Sequence, residues 1–268
     1  MNKVVLITGA SSGIGKITAE FLTEKGFKVY GTSRSAGPKQ NNLPFELISL
    51  DVNNTDSIKK AVQLVIEKEG RLDVLVNNAG MGITGPIEET PTIEMRNVFE
   101  TNFFGAIEVM KAVLPQMRKQ NSGLIINVTS IAGYMGLPFR GIYCATKGAL
   151  EIATETIRME VKEFGIQVTN VAPGDFATNI AAGRYHTPVF EDSAYKEIYQ
   201  KNLDLMDAHV DSGSDPIEMA EQIYKILQNP KPKIHYKVGS FMQKFSIVLK
   251  RTLPDKLYEK LIMGHYGM

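Results

Sequence analysis

Val4-Val5-Leu6-Ile7 runs directly into Thr8-Gly9-Ala10-Ser11-Ser12-Gly13-Ile14-Gly15, and the fold reads outward from this stretch. Four consecutive apolar residues are strand length, and a strand apolar on both faces belongs in a sheet covered on both sides. The glycines let the backbone turn tightly and approach a bound group closely. Residues 14–25 then read as a helix, with Gly26 just past its end. A strand–glycine loop–helix unit presents N–H groups and the positive end of a helix dipole to an anion, which suits a pyrophosphate. Gly9, Ser11, Ser12, Gly13, Ile14 and Gly15 are therefore candidate phosphate-binding positions. An ordinary glycine-rich turn is the competing reading of the loop taken alone, and the strand and helix around it weigh against that.

The same alternation continues along the chain. Phe27–Ser33 and Phe45–Leu50 read as strands, and Ile58, Ala61, Val62, Val65 and Ile66 form the stripe of an amphipathic helix closed by Gly70. Further strands are expected at Leu72–Asn77, Leu124–Thr129, Ile166–Val171 and Ile234–Val238, with helices over about 92–119, 143–164 and 216–228. Pro115 falls inside the first of these helices. Apolar strands alternating with helices imply an α/β architecture: a doubly wound parallel sheet of about seven strands with helices on both faces. No linker divides the 268 residues, so one domain is expected over 1–268, with an irregular lid segment at about 174–214 and a C-terminal extension at about 239–268.

Composition narrows the function classes. Thirty basic against 29 acidic residues leave a net charge of +1, so no global pull towards nucleic acid or an acidic membrane exists, and only a local basic patch stays open. The single cysteine, Cys144, cannot form an internal disulfide, and the four histidines show no metal-ligand spacing. The longest uncharged run, Gln120–Phe139, is span-length but interrupted by asparagines, glycines and a proline. The expectation is a cytoplasmic protein acting on a small molecule, without metal or nucleic acid.

The end of the second strand reads Gly31-Thr32-Ser33-Arg34-Ser35. An acid there would hold ribose hydroxyls and repel a 2′-phosphate; instead Ser33 can donate a hydrogen bond and Arg34 a charge-assisted one. This favours NADP(H) over NAD(H), with NAD(H) as the alternative. Asp51, followed by Val52, closes the third strand and either accepts from an adenine amino group or caps the next turn.

Tyr143 and Lys147 stand four apart at the start of a helix, so both project from one face. A phenol of pKa about 10 is a poor base at neutral pH, and a nearby ammonium favours its ionised form. The pair suits proton exchange with a carbonyl or alcohol oxygen, and Ser130, on the loop after a strand, can hydrogen-bond the same oxygen. Asn102, inside a helical stretch, is placed to organise a water or bend the helix.

Taken together, the Thr8–Gly15 loop, Asn77-Asn78-Ala79-Gly80, Asn102, Ser130, Tyr143-x-x-x-Lys147 and Pro173-Gly174-x-x-x-Thr178 resemble a short-chain dehydrogenase/reductase along nearly the whole chain. The resemblance implies a Rossmann-type fold and hydride transfer at a nicotinamide. It implies Tyr143 as general acid/base, Lys147 as the group that lowers its pKa and binds the nicotinamide ribose, and Ser130 as the orienter of the substrate oxygen. It further implies a relay water on Asn102, a carboxamide contact from Thr178 beside Pro173 and Gly174, and a cofactor floor from Asn78, Ala79 and Gly80. Ser12 departs from the basic residue that many NADP-dependent members carry in the loop. Tyr134–Phe139 and Tyr143–Lys147 look most like the 17β-hydroxysteroid and retinol dehydrogenase branch, which suggests an apolar steroid-, retinoid- or acyl-like substrate. A homodimer or homotetramer through helices 92–119 and 143–164 is also implied.

Other residues carry blander expectations. Cys144 reads as a packed thiol rather than a nucleophile, and His186 as a surface or loop residue rather than a substrate contact. Phe176, Ile180, Tyr185, Val189 and Phe190 read equally as pocket lining and as lid packing. The tail after 239 places Phe241, Met242, Phe245, Val248 and Leu249 beside Lys244, Lys250 and Arg251. A cover for the sheet edge, the active site or another subunit is favoured there over a membrane-surface helix. The competing function is a catalytically silent NADP(H)-binding sensor or scaffold; such a protein can dispense with Tyr143, Lys147 or Ser130, and this chain has all three.

Overall fold

In a computed structural model the described residues are 2–35, 42–176, 183–211 and 213–268, with 207–211 described as backbone only. In chain order they form β1 (Val4–Ile7), α1 (Gly13–Glu24), β2 (Lys28–Ser33), β3 (Glu46–Ser49), α2 (Thr55–Glu69) and β4 (Val74–Asn77). Then follow β5 (Ile83–Thr84), α3 (Thr92–Phe99), α4 (Gly105–Gln120), β6 (Gly123–Val128), α5 (Gly141–Glu160) and β7 (Ile166–Pro173). The chain continues through β8 (Tyr185–His186), α6 (Lys196–Asp211), α7 (Ile217–Gln228), β9 (His235–Val238), α8 (Phe241–Thr252) and α9 (Asp255–His265).

Seven strands make one parallel sheet in the order β3-β2-β1-β4-β6-β7-β9. The chain steps outward from β1 to β3, then returns past β1 to β4 and steps the other way. The crevice between the carboxyl ends of β1 and β4 is the topological switch point at which such sheets bind ligands. The second sheet, β5 with β8, is a two-stranded parallel clip that pairs Ile83 with Tyr185 and Thr84 with His186.

Alternation along each strand builds the two cores. Val4 and Leu6 pack under α2 and α4 with Val62, Val109 and Val113, while Val5 and Ile7 pack under α1 and α7 with Leu22, Met219 and Ile223. Each such fully buried side chain contributes about 1.5–3 kcal/mol. Local signals set the helix ends. The Asn54 side chain accepts from the Ser57 N–H at the start of α2, and Gly70 (φ +69°) ends it in the left-handed region.

Two expectations need correction. Residues 92–119 are not one regular helix: α3 and α4 are joined by a wide π turn, Glu100–Phe104, and Pro115 sits inside α4 without ending it. The break follows Asn102, whose amide bonds the backbone of the neighbouring loop rather than its own helix. The segment 174–214 is not irregular throughout, because it contains β8 and the sixteen-residue α6. Tyr199, Asn202 and Met206 are buried on one face of α6, at steps of three and four, with half-buried Leu203 beside them. The polar Asn202 interrupts the apolar stripe, and its Nδ2 is satisfied by the Ile198 carbonyl at 2.9 Å.

The tail does cover the molecule. Ile247 of α8 and Tyr258 of α9 are buried against Ile131, Met135 and Ala172. Among the described residues, no helix is long and apolar enough to cross a membrane.

Candidate active site

Thr8 ties the two sides of the switch point together. Its hydroxyl accepts from the Asn78 and Ala79 N–H groups, each at 2.9 Å. Asn78 Nδ2 in turn donates to the Thr8 and Gly9 carbonyls at 3.0 and 3.1 Å. Gly9 (φ +67°) is required twice over: the left-handed backbone disfavours a side chain, and a Cβ would lie 3.0 Å from the Ala79 Cα. A Cβ on Gly15 would drive into Asn78 Nδ2 and the Gly9 carbonyl. Ser12 precedes α1 without a side-chain capping bond, so its hydroxyl does not occupy the N–H groups of the first turn.

A cleft of about 450 Å³ opens above this junction. Gly9, Ser11, Ser12, Gly13, Ile14, Ser33, Arg34, Asp51, Val52, Asn78, Ala79, Gly80, Tyr143, Lys147 and Pro173 all line it. Gly15 lies beneath as a packing contact. Asp51 Oδ1 accepts from the Asn53 N–H at 3.0 Å, as turn capping requires, and the side chain also borders the cleft, as an adenine contact requires. The volume of the cleft, its backbone-thin floor and the uncapped α1 fit a dinucleotide, with exposed Arg34 and buried Lys147 both on its lining.

A narrower pocket of about 80 Å³ adjoins it and shares Ile14, Tyr143 and Pro173 with it. Ser130, Gly174 and Phe176 line this second pocket, so Phe176 takes the pocket-lining alternative. Thr178 and Ile180 lie outside the described residues. The sequence reading missed Ile83, Thr84, Arg140, Asp175 and Arg184 here. Isolated charges on loops carry no spacing signal, whereas Val128 and Thr129 in the larger cleft are foreseeable from their place at the carboxyl end of a central strand.

Ser130 is buried, and its Oγ accepts from the Ala132 N–H at 3.1 Å at the start of a single 3₁₀ turn. Lys147 is buried too, with Nζ donating to the Val128 carbonyl at 3.0 Å and standing 5.9 Å from the Tyr143 ring centre. Burial pushes its pKa down to about 8, against the pull of Glu151 one turn later on α5. Tyr143 is pushed above the usual phenol value by burial; its hydrogen bond with Ser130 and the charges of Arg140 and Arg184 act in the opposite direction. This differs from the expectation that Lys147 lowers the phenol. Desolvation is the larger effect on both groups, because both sit in a cleft with few compensating charges.

Asn102 is placed behind the pair. Its Oδ1 accepts from the Met81 N–H at 2.8 Å, and Nδ2 donates to the Met81 carbonyl at 2.9 Å and to Thr146 Oγ1 at 3.2 Å. The π turn thus clamps the loop after β4 to α5. Gly80 completes the clamp, since a Cβ there would lie 3.2 Å from Asn102 Oδ1 and 3.4 Å from Lys147 Nζ.

Cys144 is buried, and burial raises its thiol pKa, as a packed thiol requires. His186 sits in β8 rather than in a loop, with Nδ1 3.2 Å from Thr84 Oγ1. Val189 lies by α6, and Phe190 is largely exposed, so neither borders the two pockets described.

Comparison with known proteins agrees with this geometry. The short chain dehydrogenase profile matches residues 3–188. The 3-ketodihydrosphingosine reductase of Bacteroides thetaiotaomicron is 39% identical over 267 residues, covering 99% of this chain and 98% of that protein. A short-chain dehydrogenase structure from Streptomyces avermitilis is 34% identical with a TM-score of 0.83, covering 98% of this chain and 99% of that one. An alcohol dehydrogenase from the archaeon Thermococcus sibiricus, complexed with 5-hydroxy-NADP, is 25% identical with a TM-score of 0.72 over 90% of this chain and 97% of that one.

Proposed function

The chain belongs to the short-chain dehydrogenase/reductase family, and from that premise we propose that it is an NADP(H)-dependent oxidoreductase that interconverts a ketone and an alcohol on a long apolar chain. The observation that carries this reading is the convergence of Ser130, Tyr143 and Lys147 where the dinucleotide-sized cleft meets the narrower pocket. The Bacteroides relative, matched end to end, makes a ketone such as 3-ketodihydrosphingosine the first substrate to test. A steroid or retinoid is the second.

The loop Gly9–Gly15 and the start of α1 would hold the pyrophosphate. Ser33 and Arg34 would meet the 2′-phosphate, Asp51 and Val52 the adenine end, and Asn78–Gly80 with Lys147 the nicotinamide end. When bound, the reduced cofactor supplies the hydride that converts the carbonyl carbon to a carbinol. Tyr143 donates its proton to the carbonyl oxygen, and Ser130 hydrogen-bonds the same oxygen and polarises it. Lys147, held by the Val128 carbonyl, places a cation beside the phenol as it loses its proton. Asn102 fixes the spacing between the cofactor floor and α5. Phe104, Ile152 and Met159, all exposed on the π turn and α5, favour a homodimer across this helix face.

The test follows NADPH and NADH consumption at the reduced-nicotinamide absorbance band with 3-ketodihydrosphingosine, steroid, retinoid and small aliphatic ketones. Turnover with NADPH on the long-chain ketone is expected. Cofactor binding without turnover across the panel would favour the silent sensor.

A further inference from the structure

The molecule has one surface that the chemistry above does not use. Sixteen large hydrophobic residues are exposed among the described residues, and eight of them lie between Phe241 and Met268. Of the other eight, Phe104, Ile152 and Met159 belong to the helix face proposed for the homodimer and the rest are scattered, which is ordinary; between Phe241 and Met268 they are ordered. On α8, Phe241 is 72% exposed, Phe245 38% and Val248 48%, at steps of four and three, with Met242 at 66% beside them. These positions form an outward face, because Ile247, buried on the opposite side, anchors α8 to the body, with half-buried Leu249 also packed against it. The Phe241 and Phe245 rings stack on one another, 5.5 Å apart and 13° from parallel, in solvent. On α9, Leu257 and Leu261 repeat the pattern one turn apart, at 47% and 49% exposure, while Tyr258 is buried.

Charge is concentrated in the same place. Residues 231–268 hold eight Lys and Arg against two acids, a local charge of +6 in a chain whose total is +1. Lys244 flanks the α8 stripe, and Lys256 and Lys260 flank the α9 pair; all three are exposed. A stripe of phenylalanine and leucine bordered by lysine matches an interface that is apolar below its surface and anionic at it. The inner side of α8 reaches the narrower pocket, since Gln243 Nε2 donates at 2.9 Å to Asp175, which lines that pocket.

We propose that α8 and α9 dock this protein on an anionic lipid bilayer surface, with Phe241, Met242 and Phe245 entering the acyl boundary and the lysines meeting the headgroups. Docking sets the pocket one helix thickness from the bilayer. The proposal goes beyond the catalytic reading and does not depend on it.

The experiment pellets vesicles mixed with the full chain, without cofactor or substrate, so that loss of binding and loss of catalysis are read separately. Vesicles of phosphatidylcholine alone are compared with vesicles also containing phosphatidylglycerol. Binding to the anionic vesicles is expected to be at least about tenfold stronger, and to weaken at roughly 1 M salt, where the Debye length is about 3 Å. F241S/F245S is expected to lose binding by at least about tenfold while its thermal melt stays unchanged. K244E/K260E, which leaves the apolar stripe intact, is expected to lose the preference for anionic vesicles. Failure to pellet with anionic vesicles, or equal binding to both kinds, overturns the proposal. It is also overturned if light scattering shows an oligomer that F241S/F245S dissociates, because the stripe would then face a second copy of the chain.

Discussion

Replacing Glu151 by glutamine changes one atom of a side chain that is 5% exposed and lies one turn beyond Lys147 on α5. Its carboxylate accepts from the Thr129 hydroxyl, from Tyr134 Oη and Asn170 Nδ2 at 2.8 Å each, and faces His235 Nδ1 at 2.9 Å. Glutamine keeps one acceptor oxygen and can turn its amide towards Thr129, whose hydroxyl is able to accept. Three donors then share a neutral oxygen, and four charge-assisted bonds become neutral ones at about 1 kcal/mol each. Relief from burying a charge offsets part of this, leaving a loss of about 2 kcal/mol. Glu151→Ala takes the carboxylate from all four groups, leaving Thr129 and Asn170 only longer bonds, 3.3 Å each, to the carbonyls of Val171 and residue 151, and should cost about 4 kcal/mol. For a domain of this size these correspond to Tm falls of about 4–8 °C and about 8–16 °C in a calorimetric melt at pH 7. Glu151 also supports the Lys147 ammonium, so E151Q should bring the Lys147 pKa below its value of about 8 and move the matching limb of the pH–rate profile to lower pH. A Tm of E151A within 2 °C of wild type, or a limb moving to higher pH in E151Q, would refute this account of the network.

Other expectations follow from the same structure. Because the folded pKa of Lys147, about 8, lies below the unfolded 10.5, the unfolded chain binds more protons between those values. The buried charge therefore costs stability that is fully present below about pH 8 and relieved as pH rises towards 10.5. Without cofactor, wild type should gain about 2–3 kcal/mol over that window relative to Lys147→Met, read from urea unfolding at each pH; parallel curves would contradict it. Arg34→Ala should raise the dissociation constant for NADPH by about ten- to hundredfold and leave NADH nearly unchanged, because one charge-assisted phosphate contact is worth about 1.5–3 kcal/mol. Equal losses for both cofactors, measured by fluorescence titration, would move the 2′-phosphate elsewhere. Asn102→Ala should lower kcat more than it raises KM, since it loosens the clamp between Met81 and Thr146; an unchanged kcat would make the clamp purely structural.

The fold was legible in the sequence where apolar period and punctuation agree. Val4–Ile7 with its glycine loop, and the Ile58–Ile66 stripe closed by Gly70, are both found within a residue of where they are expected. It was illegible where one polar residue serves a buried role. Asn202 hides the buried face of α6, and the backbone bonds of Asn102 turn a stretch of regular helical period into a π turn. At the site, the spacing of Tyr143 and Lys147 foretold their shared face but not the depth of the cleft, which decides the direction of both pKa shifts. Arg140 and Arg184 come to the pocket through tertiary packing alone, and no local pattern announces them.

The most direct test of the catalytic account is the kcat of Tyr143→Phe with NADPH and a long-chain ketone. The substitution removes one hydroxyl and keeps the aromatic ring. The account predicts a fall of about 10²–10⁴-fold in kcat, the range for a positioned acid, with NADPH affinity within about twofold of wild type. Turnover at the wild-type rate would show that the proton comes from somewhere else.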